Sequence, residues 1–236
     1  MLDFEDLKAD PFVPPQIGSA GVGNVDLSFG PSGELFKTTC ESGESAAKFE
    51  RNGNIISLPQ PKGSWLRFPL LRPLSDGRWL VVDTRTDGQQ ANAHVYEPKD
   101  IIGGSFFVGD AIEWAFVDSL DRIWIGYFDE GFGKPLSANG LSCFSTDGAL
   151  LFAFADHSQR FVVDVYAMTI DKNDCAWICP YTEFFVARVC NREVEFVLEA
   201  APTRGAKALL VGESHLGFIG GYKRDAARSR RGMAQR

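Results

Sequence analysis

"VDSLDRIWIGYFDEG", residues 117–131, is a small polar turn followed by a run of β-branched and aromatic side chains. The same order returns at 170–184, "IDKNDCAWICPYTEF". It returns more faintly at 74–86, "LSDGRWLVVDTRT", at 211–222, "VGESHLGFIGGY", and at 28–40, "SFGPSGELFKTTC". A Gly/Asp/Asn turn that reverses one apolar run into another is a hairpin signal. Anchored on Gly33, Gly77, Asp121, Asp174 and His215, the five turns are 44, 44, 53 and 41 residues apart. A period of about 40 to 50 residues without helical patterning indicates the blade of a propeller.

Four more hairpins lie between these: "AAKFERNGNIISL", "AHVYEPKDIIGGSFF", "LSCFSTDGALLFAFA" and "ARVCNREVEFVLE", recurring at close to 46 residues. Asn-Gly and Asp-Gly steps in "ERNGNII" and "STDGALL" supply the positive φ that a tight hairpin turn requires. Two hairpins per period make four strands, which is one blade. The expected fold is therefore all-β: a β-propeller of about five blades of four-stranded antiparallel sheet, the last incomplete, with a six-bladed or open ring as the alternative. Residues 24–222 form the propeller. Residues 1–23 are a possible closure strand beside the last blade, and the basic tail 223–236 is expected to lack regular structure. Phe36, Trp79, Trp124, Trp177 and Phe218 are expected to fill the space between blades, because a blade is apolar on both faces and buries them against its neighbours.

The 236 residues carry 24 Lys and Arg against 31 Asp and Glu, a net charge of −7. That balance argues against nucleic acid and anionic membranes as partners. The start "MLDFEDLKADPF" has no apolar h-region and no run reaches 18 apolar residues, so a cytoplasmic location is expected. With it comes the expectation that the five cysteines, Cys40, Cys143, Cys175, Cys179 and Cys190, form no disulfide.

"VDSLDRIWIGYFDEG" together with "GLSCFSTDGALLFAF" resembles the blade pattern of NHL-like and regulator-type propellers and of uncharacterised bacterial propeller proteins, over roughly residues 24–222. That resemblance implies a fold more than an activity, since the scaffold hosts hydrolases, sensors and docking modules. Gluconolactonase-like propellers, the nearest enzymatic comparison, hold a divalent cation at the channel mouth with Glu, Asn and Asp. Here Asn54, Asn92, Asn139, Asn173 and Asn191 fall mostly in turns rather than on inner strands.

Innermost strands line a propeller channel, so their polar side chains are the candidate ligand-binding residues. Glu113, Tyr166 and Lys207 occupy equivalent positions in successive blades. Asp164 shares a face with Tyr166 by strand alternation, and Asp26 and Arg67 take matching places earlier. Such a set suits a small polar or anionic ligand. The longest insertion between hairpins, "YFDEGFGKPLSANG" at 127–140, adds Asp129 and Glu130 on a loop of the kind that binds ligands or partners.

No metal site is expected: Cys175 and Cys179 lack knuckle spacing, and His94, His157 and His215 lie in different blades. "GESHL" lacks the second glycine of a nucleophile elbow, and "GSAGVG" has the wrong glycine order for a dinucleotide fingerprint. The sequence thus favours a binding or scaffolding module for a protein or small polar ligand, without a cofactor. The alternative is a small-molecule hydrolase or lyase that uses Glu113 and Asp164 with a divalent cation.

Overall fold

The computed structural model describes residues 24–29, 35–42, 46–51, 54–63, 66–99, 101–222 and 228–231; for 24–29, 35–42, 51 and 228–231 the description is of the backbone. Five antiparallel sheets follow one another along the chain. The first holds β1 (Asn24–Phe29), β2 (Leu35–Ser42), β3 (Ala46–Arg51) and β4 (Asn54–Pro59). The second holds β5 (Pro69–Pro73), β6 (Trp79–Asp83), β7 (Ala93–Glu97) and β8 (Ile101–Phe106). β9 (Ile112–Val117), β10 (Ile123–Tyr127), β11 (Leu141–Phe144) and β12 (Leu150–Ala153) make the third. β13 (Asp164–Ile170), β14 (Ala176–Tyr181), β15 (Val186–Cys190) and β16 (Glu193–Leu198) make the fourth. The fifth has three strands, β17 (Ala208–Val211), β18 (His215–Ile219) and β19 (Arg228–Arg231). Each sheet is a meander in which sequence neighbours pair, so the nine expected hairpins are all present.

Burial grades across each sheet as a blade requires. Every residue of β10 is buried, as are five of six in β14, because these second strands are covered on both faces. The fourth strands alternate or face water: β8 and β16 contain no buried residue. Four apolar clusters fill the spaces between consecutive sheets. Phe49 and Leu58 meet Leu71 and Tyr96 between the first and second. Leu80 and Val95 meet Ile123 and Phe144 between the second and third. Trp124 and Phe152 meet Ile178 and Phe185 between the third and fourth. Trp177 and Val186 meet Leu209 and Phe218 between the fourth and fifth. Each fully buried Leu or Phe contributes about 2 kcal/mol, so these wedges hold the sheets together.

A turn of fixed geometry joins the first and second strands of three sheets. The N–H of Leu74, Asp118 and Asp171 donates to the carbonyl of Arg78, Arg122 and Cys175 respectively. The N–H of Gly77, Asp121 and Asp174 donates back to the first residue of the same turn. Gly77, Asp121 and Asp174 adopt φ of 87°, 58° and 59°, the left-handed region open to Gly and tolerated by Asp. In the fifth sheet the turn is tighter, Gly212 N–H donating to His215 O at 2.9 Å.

Several expectations are corrected. Part of the tail is ordered: Arg228–Arg231 pairs antiparallel with β18, so the third strand of the fifth sheet comes from the segment thought to lack structure. The closure strand expected from 1–23 lies outside the described residues. Helix among the described residues is one short turn, α1 (Phe154–His157), with 3-10 turns at Asp129–Gly131 and Ser137–Asn139. Trp79 does not match Trp124: Leu80 faces Arg72 two residues before its turn, as Trp124 faces Phe116. Trp79 is accordingly only half-buried at the edge of its cluster. Phe36 belongs to the residues whose side chains are outside the description.

The expectation of no disulfide also fails. Cys175 and Cys190 are bonded, with Cα atoms 4.7 Å apart. Ala176 pairs with Val189 across β14 and β15, so the two cysteines stand opposite each other at the next rung. Spacing along one strand, which separates Cys175 from Cys179, does not reveal a partner across the hairpin. Cys143 and Cys179 are buried free thiols, both pushed up to about 12 by burial. Among the described residues no helix is long and apolar enough to cross a membrane.

Candidate functional site

In a meander, alternate connections fall at opposite ends of the strands. The tight first-to-second and third-to-fourth turns share one face. The second-to-third loops and the crossovers to the next sheet share the other, here called the loop face. Arg67 ahead of β5, residues 85–89, Phe107 with Asp110, and Lys134 with Pro135, all on this face, line a solvent-open cavity of about 550 Å³ between the second and third sheets, within the range of small-molecule sites. Its lining includes Arg67, Arg85, Lys134, Asp87 and Asp110.

The walls are fixed by two carboxylates. Asp83, at the end of β6, accepts the backbone N–H of Arg67 and of Phe68, each at 2.8 Å. Burial raises its pKa, against the pull of those N–H groups. Asp110 accepts from Thr86 N–H at 3.0 Å and from Lys134 Nζ at 2.8 Å. Burial raises the Asp110 pKa, but the Lys134 and backbone hydrogen bonds outweigh it and hold the carboxyl below the usual range. Asp110 N–H donates to Ser137 Oγ at 2.9 Å, closing the long loop onto the crossover. Gly109, at φ 95°, lies so close that a Cβ would stand 2.6 Å from the Tyr127 ring and 2.8 Å from Ser137 Oγ. Only glycine fits that approach.

The cations of the cavity are partnered at its rim. Arg67 pairs with Asp87, and Arg85 with Glu130, whose carboxylates are 77% and 58% exposed. Arg85 also lies over the Phe128 ring, and its Nη1 is buried with no hydrogen-bond partner among the described residues.

A second group stands at the mouth of the channel over the third to fifth sheets. Asp164 opens β13, and its carboxyl is pushed up to about 6, first by burial and then by the charges of Asp129 and Glu113, with Lys207 opposing. Tyr166, next on the same face, has its pKa raised chiefly by the hydrogen bond it shares with the Tyr222 hydroxyl, 3.2 Å away. Lys207 Nζ sits 4.2 Å from the Tyr166 ring centre. Tyr181 stacks on Tyr166 at 5.4 Å, and Phe184 and Tyr222 meet it edge-on.

The structure thus divides the candidates named from sequence. Glu113, Asp129, Asp164, Tyr166 and Lys207 come together at the channel mouth. Arg67 does not join them; it precedes β5 and turns into the cavity. Glu130, next to Asp129, points the other way, to Arg85. Asp26 lies on β1 in register with Thr38, its side chain outside the description. Among the described residues no three His, Cys, Asp or Glu side chains are grouped to hold a metal. The cavity residues Arg85, Asp110 and Lys134 were not found from sequence. They come from three irregular loops with no spacing rule between them; the one signal was the length of the 127–140 insertion, which supplies Lys134.

No protein-family model matches the chain, and no curated protein matches its sequence. Solved structures do. Virginiamycin B lyase from Staphylococcus aureus superposes with a TM-score of 0.58 at 13% identity, over 85% of this chain and 64% of that one. A streptogramin B lyase gives 0.57 at 13% identity, over 84% and 62%. A functionally unknown protein from Desulfotomaculum acetoxidans gives 0.53 at 10%, over 83% and 62%. The chain spans less than two thirds of the length of each. At these identities the likeness concerns architecture alone, and the architecture is that of a β-propeller with a blade count consistent with about five.

Proposed function

We propose that this chain is a propeller-type binding module that takes a small anionic ligand, a carboxylate or phosphate ester, into the loop-face cavity. The observation that carries this reading is the convergence of Arg67, Arg85 and Lys134 on one 550 Å³ cavity in a chain of net charge −7. Exposed ion pairs contribute only about 0–1 kcal/mol, so Asp87 and Glu130 are partners that an incoming anion replaces at little cost. Guanidinium groups bind carboxylate and phosphate through paired N–H donors.

Calorimetric titration with small dicarboxylates and phosphate monoesters tests it. Binding that weakens with added salt and is lost in Lys134→Met supports the reading. No binding by any anion, or binding indifferent to Lys134→Met and Arg85→Met, overturns it.

A second reading, a small-molecule hydrolase or lyase, rests on Asp164. A carboxyl with a pKa near 6 is poised to exchange a proton at neutral pH, and Lys207 beside it can stabilise a developing anion. Two of the architectural neighbours are lyases by name. Turnover abolished by Asp164→Asn, with anion binding at the cavity intact, would favour this reading over the first.

A further inference from the structure

Phe107 takes no part in the core beside it. Its chain neighbours Phe106 and Val108 both pack into the cluster between the second and third sheets. Phe107 is only half-buried and belongs to none of the four apolar clusters. It lines the loop-face cavity instead. The backbone on either side of it is fixed: Asn92 N–H donates to Phe106 O at 3.1 Å, and Val108 N–H donates to Asn92 Oδ1 at 3.0 Å. An apolar side chain on a backbone already held in place is a contact that a ligand uses without first ordering the loop.

Cations stand beside this wall. Asp110, three residues on from Phe107, accepts from Lys134 Nζ at 2.8 Å, so the ammonium is tied to the same crossover that carries the ring. Three residues span at most about 11 Å even when fully extended, which leaves ring and ammonium within reach of one small molecule. Pro135, next to Lys134, adds a second apolar surface to the lining. That stretch of loop is also held: Lys134 N–H donates to Gly131 O at 3.0 Å, and Ser137 N–H to Pro135 O at 2.7 Å. Arg85 is set against the Phe128 ring, 5.0 Å from its centre. A bare inorganic anion would engage the cations and leave Phe107 and Pro135 in water. An anionic group joined to a flat apolar body engages both kinds of wall.

We infer that the cavity selects an aromatic anion, a carboxylate or phosphate carried on a planar ring, which packs on Phe107 while Lys134 and the arginines hold the charge. The ring preference rests on the anion-binding role proposed for this cavity and narrows its ligand class.

The test uses ligands that share a charged group and differ in the body attached to it. Phenyl, cyclohexyl and methyl phosphate, and benzoate with acetate, are titrated calorimetrically into the full chain and into Phe107→Leu and Phe107→Ala, each first checked for native circular dichroism. Phenyl phosphate should bind at least about tenfold tighter than methyl phosphate, through burial of its ring, and about threefold tighter than cyclohexyl phosphate, through ring-on-ring packing. Phe107→Leu should erase the preference for phenyl over cyclohexyl. Phe107→Ala should bring phenyl phosphate close to methyl phosphate, whose own affinity stays unchanged. A Phe107 that merely props the loop would instead weaken all the phosphates alike, and that result overturns the inference. Should Phe107→Ala fail to fold, Phe107→Leu and the ligand comparison decide. Methyl phosphate and acetate binding as tightly as their aryl counterparts, or cyclohexyl phosphate as tightly as phenyl, overturns the inference and leaves the anion cavity standing. Absence of binding by all five ligands removes the cavity's proposed function and the inference with it.

Discussion

Trp124 donates its indole N–H to the carboxylate of Asp118 at 2.9 Å, across the turn that separates β9 from β10. Trp177 makes the same bond to Asp171 at 2.8 Å one sheet later. Asp118 also accepts the N–H of Leu120 and Arg122 and the Arg122 Nε, at 3.0, 2.9 and 2.6 Å. One carboxylate therefore closes the turn, orients the guanidinium and fixes the tryptophan that wedges the third sheet against the fourth. Successive turns are then linked to each other: Ser75 donates its N–H and hydroxyl to Asp121, and Ser119 does the same to Asp174. The repeated residues of the sequence are thus hydrogen-bonding parts of a repeated turn.

Asp118→Ala should cost about 3 kcal/mol, since it removes a buried carboxylate and leaves the indole N–H and the guanidinium without their acceptor. Ser119→Ala, which breaks an exposed link, should cost about 1 kcal/mol or less. Urea unfolding of the two variants decides; equal losses would mean that the turn carboxylate is not what holds the tryptophan.

The pH dependence of stability should contain two opposed contributions. The folded-state pKa of Asp164 is raised from 3.8 to about 6, so the folded chain binds the extra proton, and stability falls as pH rises through that window. His94 is buried, with Nδ1 2.8 Å from Ser105 Oγ, and burial lowers its pKa from 6.5 to about 4. Here the unfolded chain binds the extra proton, and stability rises with pH over the same range. In Asp164→Asn only the His94 contribution remains of the two. Its melting temperature should rise more steeply with pH than that of the wild type, with the variant the more stable near pH 8 and the two alike near pH 4. Parallel profiles for variant and wild type would contradict the assignment of Asp164.

Much of this architecture was legible because hairpins announce themselves locally. Gly77, Asp121 and Asp174 were chosen as turn anchors by residue type, and all three have the positive φ that the turn needs. Strand alternation likewise placed Asp164 and Tyr166 together. Reading failed where position depends on what lies across space. Trp79 and Leu80 are adjacent apolar residues, and composition does not say which one faces inward; a slip of one residue exchanges the faces. Cys175 and Cys190 meet only because the β14–β15 register makes them opposite. Arg85, Asp110 and Lys134 reach one cavity from three loops, and no periodicity governs loops. The tail "RSRR" has no apolar alternation, and its pairing with β18 is a matter of backbone alone.

The disulfide should be visible as a cross-linked Cys175–Cys190 peptide in a non-reduced digest. Its closed loop spans a sequence separation of 15, for which the chain-entropy model gives about 3 kcal/mol. Cys190→Ser should lower the urea midpoint accordingly, and dithiothreitol should reproduce the effect in the wild type. Arg188 Nη2 lies 3.3 and 3.5 Å from the two sulfurs, so after reduction it favours the thiolates. Recovery of both cysteines as alkylated peptides without prior reduction would show that the bond does not form.

Asn92 joins the fold to the candidate site, and substitutions there should show it. It is buried at the start of β7's approach, where its Nδ2 donates to Asp83 O at 2.9 Å and to Gly109 O at 2.8 Å. Its Oδ1 accepts from Val108 N–H at 3.0 Å. The amide thus has two acceptors on one side and a donor on the other, a pattern that only a carboxamide satisfies. Asn92→Ala leaves all three backbone groups unpaired and should cost about 2–3 kcal/mol. Asn92→Asp should be worse at neutral pH, because one carboxylate oxygen then faces two carbonyl oxygens, and acidification that protonates it should recover part of the loss. Because Gly109 and Asp83 position the walls of the cavity, the anion affinity should fall in both variants even where they remain folded. A variant in which Asp is tolerated as well as Ala, with anion binding unchanged, would show that this amide neither orders the crossover nor shapes the cavity beside it.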